Sequence, residues 1–177
     1  MRVVAMMSGE PDVVTGYVTS GRPETQDGER VLGLFLNTVP LRVASTGGRW
    51  RDLVRRAWDA EQALLPHRRF PLAEIVAETG RTPFETAFNY MHFHVYGGAG
   101  DGPLPEYDRF FQKTEVALTA NVSVQPRTGG IQLRLEYDPA RLGEEQVRAM
   151  SGWYARALEQ LADDAPCDAA GLLDEVG

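Results

Sequence analysis

A change of hydrophobic period in the last third of the chain sets the strongest limit on its fold. Apolar side chains fill every second position of Ile131–Tyr137, with polar or charged side chains between them, which predicts a strand with one buried and one wet face. An apolar stripe at helical spacing follows within Glu144–Ala162. The stripe consists of Val147, Met150, Tyr154, Ala157, Leu158 and Leu161. Because each apolar face needs another to cover it, the sequence predicts layers of sheet and helix.

The same two patterns alternate along the rest of the chain. Strands are predicted at residues 12–19, 36–44, 84–96, 114–125 and 131–137, and helices at residues 2–8, 50–65, 72–78 and 144–162. Pro40 cannot donate to a ladder, so the second strand is predicted at a sheet edge or a bulge. Thr128, Gly129 and Gly130 predict a tight hairpin between the last two strands. Together these segments predict an α/β layered sandwich, with helices packed on a mixed or mostly antiparallel sheet.

Both ends of the chain bear on its domain organisation. Residues 2–8 have the pattern of the last turns of a helix that stops at Gly9, which favours further polypeptide before Met1. Residues 1–166 are predicted to form one domain, and residues 167–177 are predicted to be an acidic linker or tail.

Charge and composition disfavour several classes of protein. The formal net charge is −7, whereas nonspecific nucleic-acid binding needs basic surface. No apolar run approaches the roughly 18 residues of a membrane span, and the N-terminus lacks the features of a signal peptide. We therefore expect a cytoplasmic protein without nucleic-acid or membrane partners. Cys167 is the only cysteine, which excludes an internal disulfide and a Cys-based zinc site.

Several segments, in order along the chain, carry a family resemblance. They are GYVTSGR at 16–22, GLFLNTVPLR at 33–42, HRRFPLAE at 67–74, TPFETAFNYMHFHVY at 82–96 and YDPARLGEEQV at 137–147. They resemble elements of the condensation domains of nonribosomal peptide synthetases, such as G-x-F-x-N-T-x-x-x-R, H-Q-x-x-P-x-E and R-x-P-L-F-x-x-x-F. The resemblance extends from residue 2 to about residue 166, and it implies one lobe of a pseudo-dimer similar to chloramphenicol acetyltransferase. The order of the elements matches the C-terminal lobe.

The chain departs from the family at its catalytic signature. The family carries H-H-x-x-x-D-G in its N-terminal lobe, and this sequence has no such motif. Its only histidines are His67, His92 and His94, and none is followed by the required Asp-Gly. We therefore predict no catalytic residue in this chain and no activity for the chain alone.

The resemblance also implies a reaction and a set of partners. In complete form the family forms an amide bond between aminoacyl or acyl groups that are held as thioesters on carrier proteins. The substrates ride on phosphopantetheine, so no cofactor is expected to bind this chain directly. The implied partners are the N-terminal lobe, peptidyl or aminoacyl carrier proteins and an adjacent adenylation domain.

The resemblance places Asn37 and Thr38 near the channel between the two lobes. An amide side chain offers both donors and an acceptor, so Asn37 is a candidate for the tunnel wall. The alternative is that both residues satisfy backbone groups at the edge of a strand. Arg22 and Arg42 also lie in family elements, and a guanidinium fork suits loop carbonyls as well as carboxylates. We expect both arginines to tie loops together.

A strand over residues 84–96 would place Tyr90, His92 and His94 on one face. That face can line a substrate tunnel, or its imidazoles can be hydrogen-bonded within ordinary packing. A metal site would need a third ligand, and we predict none.

Two other interpretations of the whole chain are compatible with the sequence. The chain can be a noncatalytic module that binds a carrier protein or the missing lobe. It can also be a stand-alone acyltransferase that completes its tunnel by forming a homo-oligomer. If the chain faces a partner, we expect exposed apolar surface around residues 35–39 and 88–96.

Overall fold

A single five-stranded sheet organises the parts of the chain that the computed structural model describes, residues 1–91, 115–125 and 128–167. The strands are β1 (Asp12–Ser20), β2 (Leu36–Ala44), β3 (Thr86–Met91), β4 (Leu118–Val124) and β5 (Ile131–Tyr137). They lie in the order β2-β1-β3-β4-β5. The β1–β2 and β4–β5 pairs are antiparallel, while β3 runs parallel to both of its neighbours. The mixed sheet predicted from the sequence is confirmed, and Pro40 lies on an edge strand.

Four α-helices accompany the sheet in the described ranges: α1 (Arg2–Ser8), α2 (Trp50–Leu64), α3 (Leu72–Thr79) and α4 (Glu144–Ala162). Short 3₁₀ turns occupy Gly28–Arg30 and Leu65–His67. Gly9 ends α1 with φ of 73°, a left-handed conformation that glycine adopts without steric cost. Leu142, just before the Gly143 cap of α4, packs against the cluster that contains Val147.

The helices α1, α2 and α4 share one face of the sheet. Their first core cluster joins all three helices to β2 and contains Val3, Leu41, Val43, Trp50, Leu53, Ala157 and Cys167. The second joins α4 to β4 through Leu118, Val147 and Met150. Cys167, the first residue of the predicted tail, is buried, and its N–H donates to the carbonyl of Gly48. Residues 168–177 lie outside the described residues.

The third strand is shorter at its start than the sequence predicts. Pairing begins at Thr86, and the preceding Phe84 is buried with its ring against Gly16. A Cβ at Gly16 would lie 2.6 Å from the Phe84 ring, so this position requires a glycine. Phe84 therefore packs across the sheet instead of extending β3, and residues 92–96 of the predicted strand lie outside the described residues.

Candidate functional site

Arg22 organises the connection between β1 and β2. Its guanidinium donates to the carbonyl of Val31 at 2.7 Å and to that of Gly28 at 3.3 Å. The guanidinium carbon also lies 4.5 Å from the centre of the Phe35 ring. The N–H of Gly21 donates to the Phe35 carbonyl at 2.7 Å. This bond joins the first residue of the connection to its last residue, next to the start of β2.

This ordered connection exposes a row of apolar side chains. Leu32 is 96% exposed, Leu34 is 86% exposed and Leu36 is 61% exposed. We call residues 31–36 the leucine segment. The sequence predicted exposed apolar surface slightly later, around residues 35–39, but Val39 points into the core and is only 2% exposed. Contacts from Arg22 hold the leucine segment in place while its side chains face outward.

Asn37 connects the start of β2 to the segment between α2 and α3. Its Nδ2 donates to the carbonyl of Arg68 at 3.0 Å and to that of Phe70 at 2.7 Å. The hydroxyl of Thr19, its cross-strand neighbour, donates to the same Arg68 carbonyl at 3.3 Å. Both amide hydrogens of Asn37 are thus engaged with irregular backbone, and this geometry supports the structural interpretation of the residue.

Thr38 and Tyr90 occupy different faces of the sheet. Thr38 turns its methyl group toward Gly16, on the face that also receives Phe84. Tyr90 lies on the helix-covered face, like Asn37, and is 47% exposed. The structure therefore places Thr38 on the opposite face of the sheet from Asn37 and Tyr90. His92 and His94 lie outside the described residues.

Arg42 lies at the far end of β2 from Asn37. Its Nε donates to the Asp12 carboxylate at 3.0 and 2.9 Å, and this bond holds the pKa of Asp12 below its usual value. Both side chains are largely exposed. The pair joins β1 to β2 across the antiparallel ladder and has no contact with the Asn37 region.

No pattern in the sequence indicates the apolar groove that lies on the helix-covered face. It has a volume of about 490 Å³ and lies between α2 and α4, over the strands β3, β4 and β5. Tyr17 and Glu61 form a polar pair in the groove lining, and the Tyr17 hydroxyl donates to the Glu61 carboxylate at 2.5 Å. Burial, together with this bond, raises the pKa of Tyr17 well above its usual value. Because its walls come from distant parts of the chain, no local motif predicts the groove.

A row of buried polar side chains on the face of the sheet opposite the helices was also not predicted from the sequence. Thr119, Asn121 and Ser123 of β4 are each only 7% exposed. The Nδ2 of Asn89 donates to the Oδ1 of Asn121 at 2.9 Å, and the Nδ2 of Asn121 is buried without a hydrogen-bond partner. Strand alternation predicts the positions of these residues, but their burial depends on tertiary packing.

Metal and membrane sites receive no support from the described part of the chain. Across residues 1–91, 115–125 and 128–167, no three His, Cys, Asp or Glu side chains lie close enough together to hold a metal ion. In the same ranges, no helix combines the length and apolar character needed to cross a bilayer.

Comparison with known proteins places these features in a wider context. The family model described as "Condensation domain" matches residues 3–174. The AMB antimetabolite synthetase AmbE of Pseudomonas aeruginosa is 34% identical over 165 residues, which are 92% of this chain and 8% of that protein. Surfactin synthase subunit 1 of Bacillus subtilis is 23% identical over an alignment 185 residues long that covers 97% of this chain and 5% of that protein.

Solved structures agree with the sequence comparison. The starter condensation domain of rhizomide synthetase RzmA superposes with a TM-score of 0.75 at 25% identity, over 98% of this chain and 42% of that one. The first condensation domain of the CDA synthetase superposes with a TM-score of 0.70 at 22% identity and shares the fold. The chain therefore spans a small part of the synthetases and 42% of the RzmA chain.

Proposed function

The chain belongs to the condensation-domain family, and on that premise we propose that it is the C-terminal half of a peptide-forming condensation domain. The observation that carries this proposal is a difference in coverage. The family model matches residues 3–174, nearly the whole chain, yet the chain covers only 42% of the RzmA starter domain. A sequence that matches along its length but covers under half of the domain corresponds to one of the two lobes.

The proposed reaction joins two groups that carrier proteins hold on phosphopantetheine. The nitrogen of an acceptor amine attacks the carbonyl carbon of a donor thioester and the C–N bond forms. The C–S bond breaks, and the donor's phosphopantetheine leaves as a thiol that carries the proton lost by the amine. This reaction needs positioned substrates and a group that handles the proton. The sequence has no H-H-x-x-x-D-G, so the complementary N-terminal half supplies that group. This chain contributes a wall of the tunnel and part of the carrier docking surface, next to an adenylation domain.

The leucine segment is proposed as contact surface for the complementary half. Its leucines at positions 32 and 34 are almost fully exposed, although Arg22 and Phe35 fix the backbone that carries them. Ordered apolar surface of this kind marks an interaction site. Because the segment is already ordered before docking, association does not bear the full entropy cost of ordering it.

Reconstitution tests the proposal. The N-terminal half of the RzmA starter domain, which belongs to the same family, is mixed with this chain and with acyl-loaded and aminoacyl-loaded carrier proteins. We expect single-turnover amide formation from the mixture and none from this chain alone. Product from the chain alone, above the control without enzyme, would contradict the proposal.

Surface variants make the same experiment more specific. The double variant Leu32→Gln, Leu34→Gln is expected to weaken association and product formation without lowering the Tm of the free chain. Ile131→Gln is the matched control, because Ile131 is 60% exposed and lies on β5, away from the leucine segment. If all variants associate equally well, the leucine segment is not the contact surface. A homo-trimer that forms product alone would instead support the stand-alone acyltransferase.

A further inference from the structure

The face of the sheet opposite α1, α2 and α4 carries polar side chains at positions that are buried. Thr119, Asn121 and Ser123 of β4 are each only 7% exposed. Their cross-strand neighbours on β5 are Glu136, Arg134 and Gln132. Burying polar groups costs free energy unless they are hydrogen-bonded, so apolar side chains would suit a face that serves only for packing. The polar composition therefore indicates a role for this face beyond packing.

Asn121 has incomplete hydrogen bonding within this row. Its Oδ1 accepts from the Nδ2 of Asn89 at 2.9 Å, and the two residues are directly opposite each other on β3 and β4. The Nδ2 of Asn121 is buried and has no hydrogen-bond partner among the described residues. Because the bond from Asn89 engages the oxygen, it fixes the orientation of the Asn121 amide and directs the NH2 group away from Asn89.

The neighbours of Asn121 on the same face do not supply the missing acceptor. Arg134, opposite on β5, has only donors on its side chain. The hydroxyls of Thr119 and Ser123 are two residues away along β4, a separation of about 7 Å in an extended strand. The donor therefore needs an acceptor from outside β3, β4 and β5. Buried donors without a partner are rare in native proteins, and a binding role is one reason for keeping one.

We propose that the Nδ2 of Asn121 donates to an amide carbonyl of the phosphopantetheine arm that carries a substrate through the tunnel. The inference rests on the proposed function, in which this chain forms a wall of that tunnel. The arm contains two amides, and an amide oxygen accepts hydrogen bonds better than the oxygen of a thioester. Asn89 acts as a positioning residue, because its bond makes the Asn121 amide present a donor and not an acceptor.

The burial of this donor adds to its value as a binding group. Asn121 is held by Asn89 before the arm arrives, so little side-chain freedom is lost on binding. Where water is excluded, no solvent competes for the bond. The same donor would leave a ligand without a carbonyl at this position unable to complete the hydrogen bonding of the site.

NMR of the side-chain amide tests the contact directly. The chain is labelled with the heavy nitrogen isotope and mixed with the N-terminal half of the RzmA starter domain. The two NH2 signals of Asn121 are identified by their absence from the variant Asn121→Ser. We expect acetyl-pantetheine to shift these signals until they saturate. Ethyl thioacetate, which has the thioester carbonyl but no amide, is expected to leave them unchanged.

Reversal of the bond between Asn89 and Asn121 tests the orientation. Asn89→Asp places a carboxylate where it can only accept, so the Asn121 amide turns and presents its oxygen to the arm. Asn89 is only partly buried, so the carboxylate keeps access to water. We expect the Kd of acetyl-pantetheine to rise about tenfold, as the loss of one hydrogen bond does, while the Tm stays close to that of the wild type.

Two further variants complete the set. Asn121→Ser removes the amide and is expected to raise the Kd by a similar factor, which gives a second test if Asn89→Asp does not fold. The Kd for Asn121→Ser is measured from the shifts of backbone amides. Thr119→Val is the matched control, because Thr119 lies on the same strand and face and has the same exposure as Asn121. It is expected to bind acetyl-pantetheine as the wild type does.

Four results would overturn the inference. They are Asn121 signals that acetyl-pantetheine does not move, an equal shift with ethyl thioacetate, wild-type affinity in Asn89→Asp and Asn121→Ser, and an equal loss of affinity in Thr119→Val. A lower Tm with unchanged affinity would show that the pair of asparagines only stabilises the sheet. If the two halves do not associate, the proposed function fails, and the same titration of the free chain still shows whether the arm reaches Asn121.

Discussion

The two ends of β2 are held by different chemistry, although both carry residues that resemble family elements. At the Asn37 end, side chains donate to the carbonyls of irregular backbone, as Asn37 does to Arg68 and Phe70. At the other end, Arg42 forms an exposed ion pair with Asp12. Resemblance to a motif therefore does not show which of its residues the fold depends on.

The difference follows from where each end finds its partners. A loop carbonyl that loses its donor must find another or remain unsatisfied, which costs about 1–3 kcal/mol when the group is buried. A charged group at the surface finds water as soon as its partner leaves. We therefore expect β2 to be sensitive to substitution at Asn37 and tolerant at Arg42.

The largest effect is expected at Asn37. Asn37→Ala removes the two hydrogen bonds from Nδ2 to the carbonyls of Arg68 and Phe70, and only the Arg68 carbonyl keeps a second donor, the Thr19 hydroxyl. We expect a loss of about 1–3 kcal/mol in the free energy of unfolding. Asn37→Asp is expected to be equally damaging, because a carboxylate keeps the shape but cannot donate to the two carbonyls. Chemical denaturation of the free chain measures both variants.

The tunnel interpretation of Asn37 predicts the opposite pattern. In that case Asn37→Ala would leave the unfolding free energy of the free chain close to that of the wild type. It would slow amide formation in the reconstituted domain by about a hundredfold, as the loss of a polar contact made in the transition state does. Measuring both the free energy of unfolding and the rate of amide formation for Asn37→Ala shows whether the Asn37 side chain stabilises the fold or contacts the substrate.

An intermediate effect is expected at Arg22. Arg22→Lys keeps the charge but loses the planar fork that contacts Val31, Gly28 and the Phe35 ring. We expect the free energy of unfolding to fall by about 1 kcal/mol, with faster amide hydrogen exchange confined to residues 28–36. Exchange that rises equally throughout the sheet would show that Arg22 supports the whole fold and not the leucine segment.

Local pattern was sufficient to predict the elements that pack through their own periodic faces. The bounds of α1, β2, β5 and α4 agree with those expected from the sequence, because each has a clear apolar stripe or alternation and a recognisable end. The alternation of β3 was also predicted correctly. Phe88 and Tyr90 share the helix-covered face, as their pairing with β1 and β4 shows.

Contacts between distant segments could not be predicted in the same way. The partners of Asn37 lie 31 and 33 residues further along the chain, in a segment without regular structure. The groove requires α2, α4 and α1 to be placed on the sheet before its walls exist. The family resemblance made Asn37 a candidate for the tunnel wall, but only the fold shows that its amide hydrogens donate to backbone carbonyls.

The smallest effect is expected at Arg42, and its pH dependence tests the comparison of the two ends. Arg42 lowers the pKa of Asp12 in the folded chain, so the pair contributes stability when the pH is above the usual carboxyl pKa of about 4. That contribution is lost as the pH falls through the lowered pKa of Asp12, where protonation removes the charge. We expect the Tm of Arg42→Ala to lie only slightly below that of the wild type at pH 7, and the difference to disappear in acid. Thermal unfolding of both proteins from pH 7 to pH 2 measures this. A large loss at pH 7, comparable to that of Asn37→Ala, would show that the Arg42 end also holds the fold, and the contrast between the two ends of β2 would then fail.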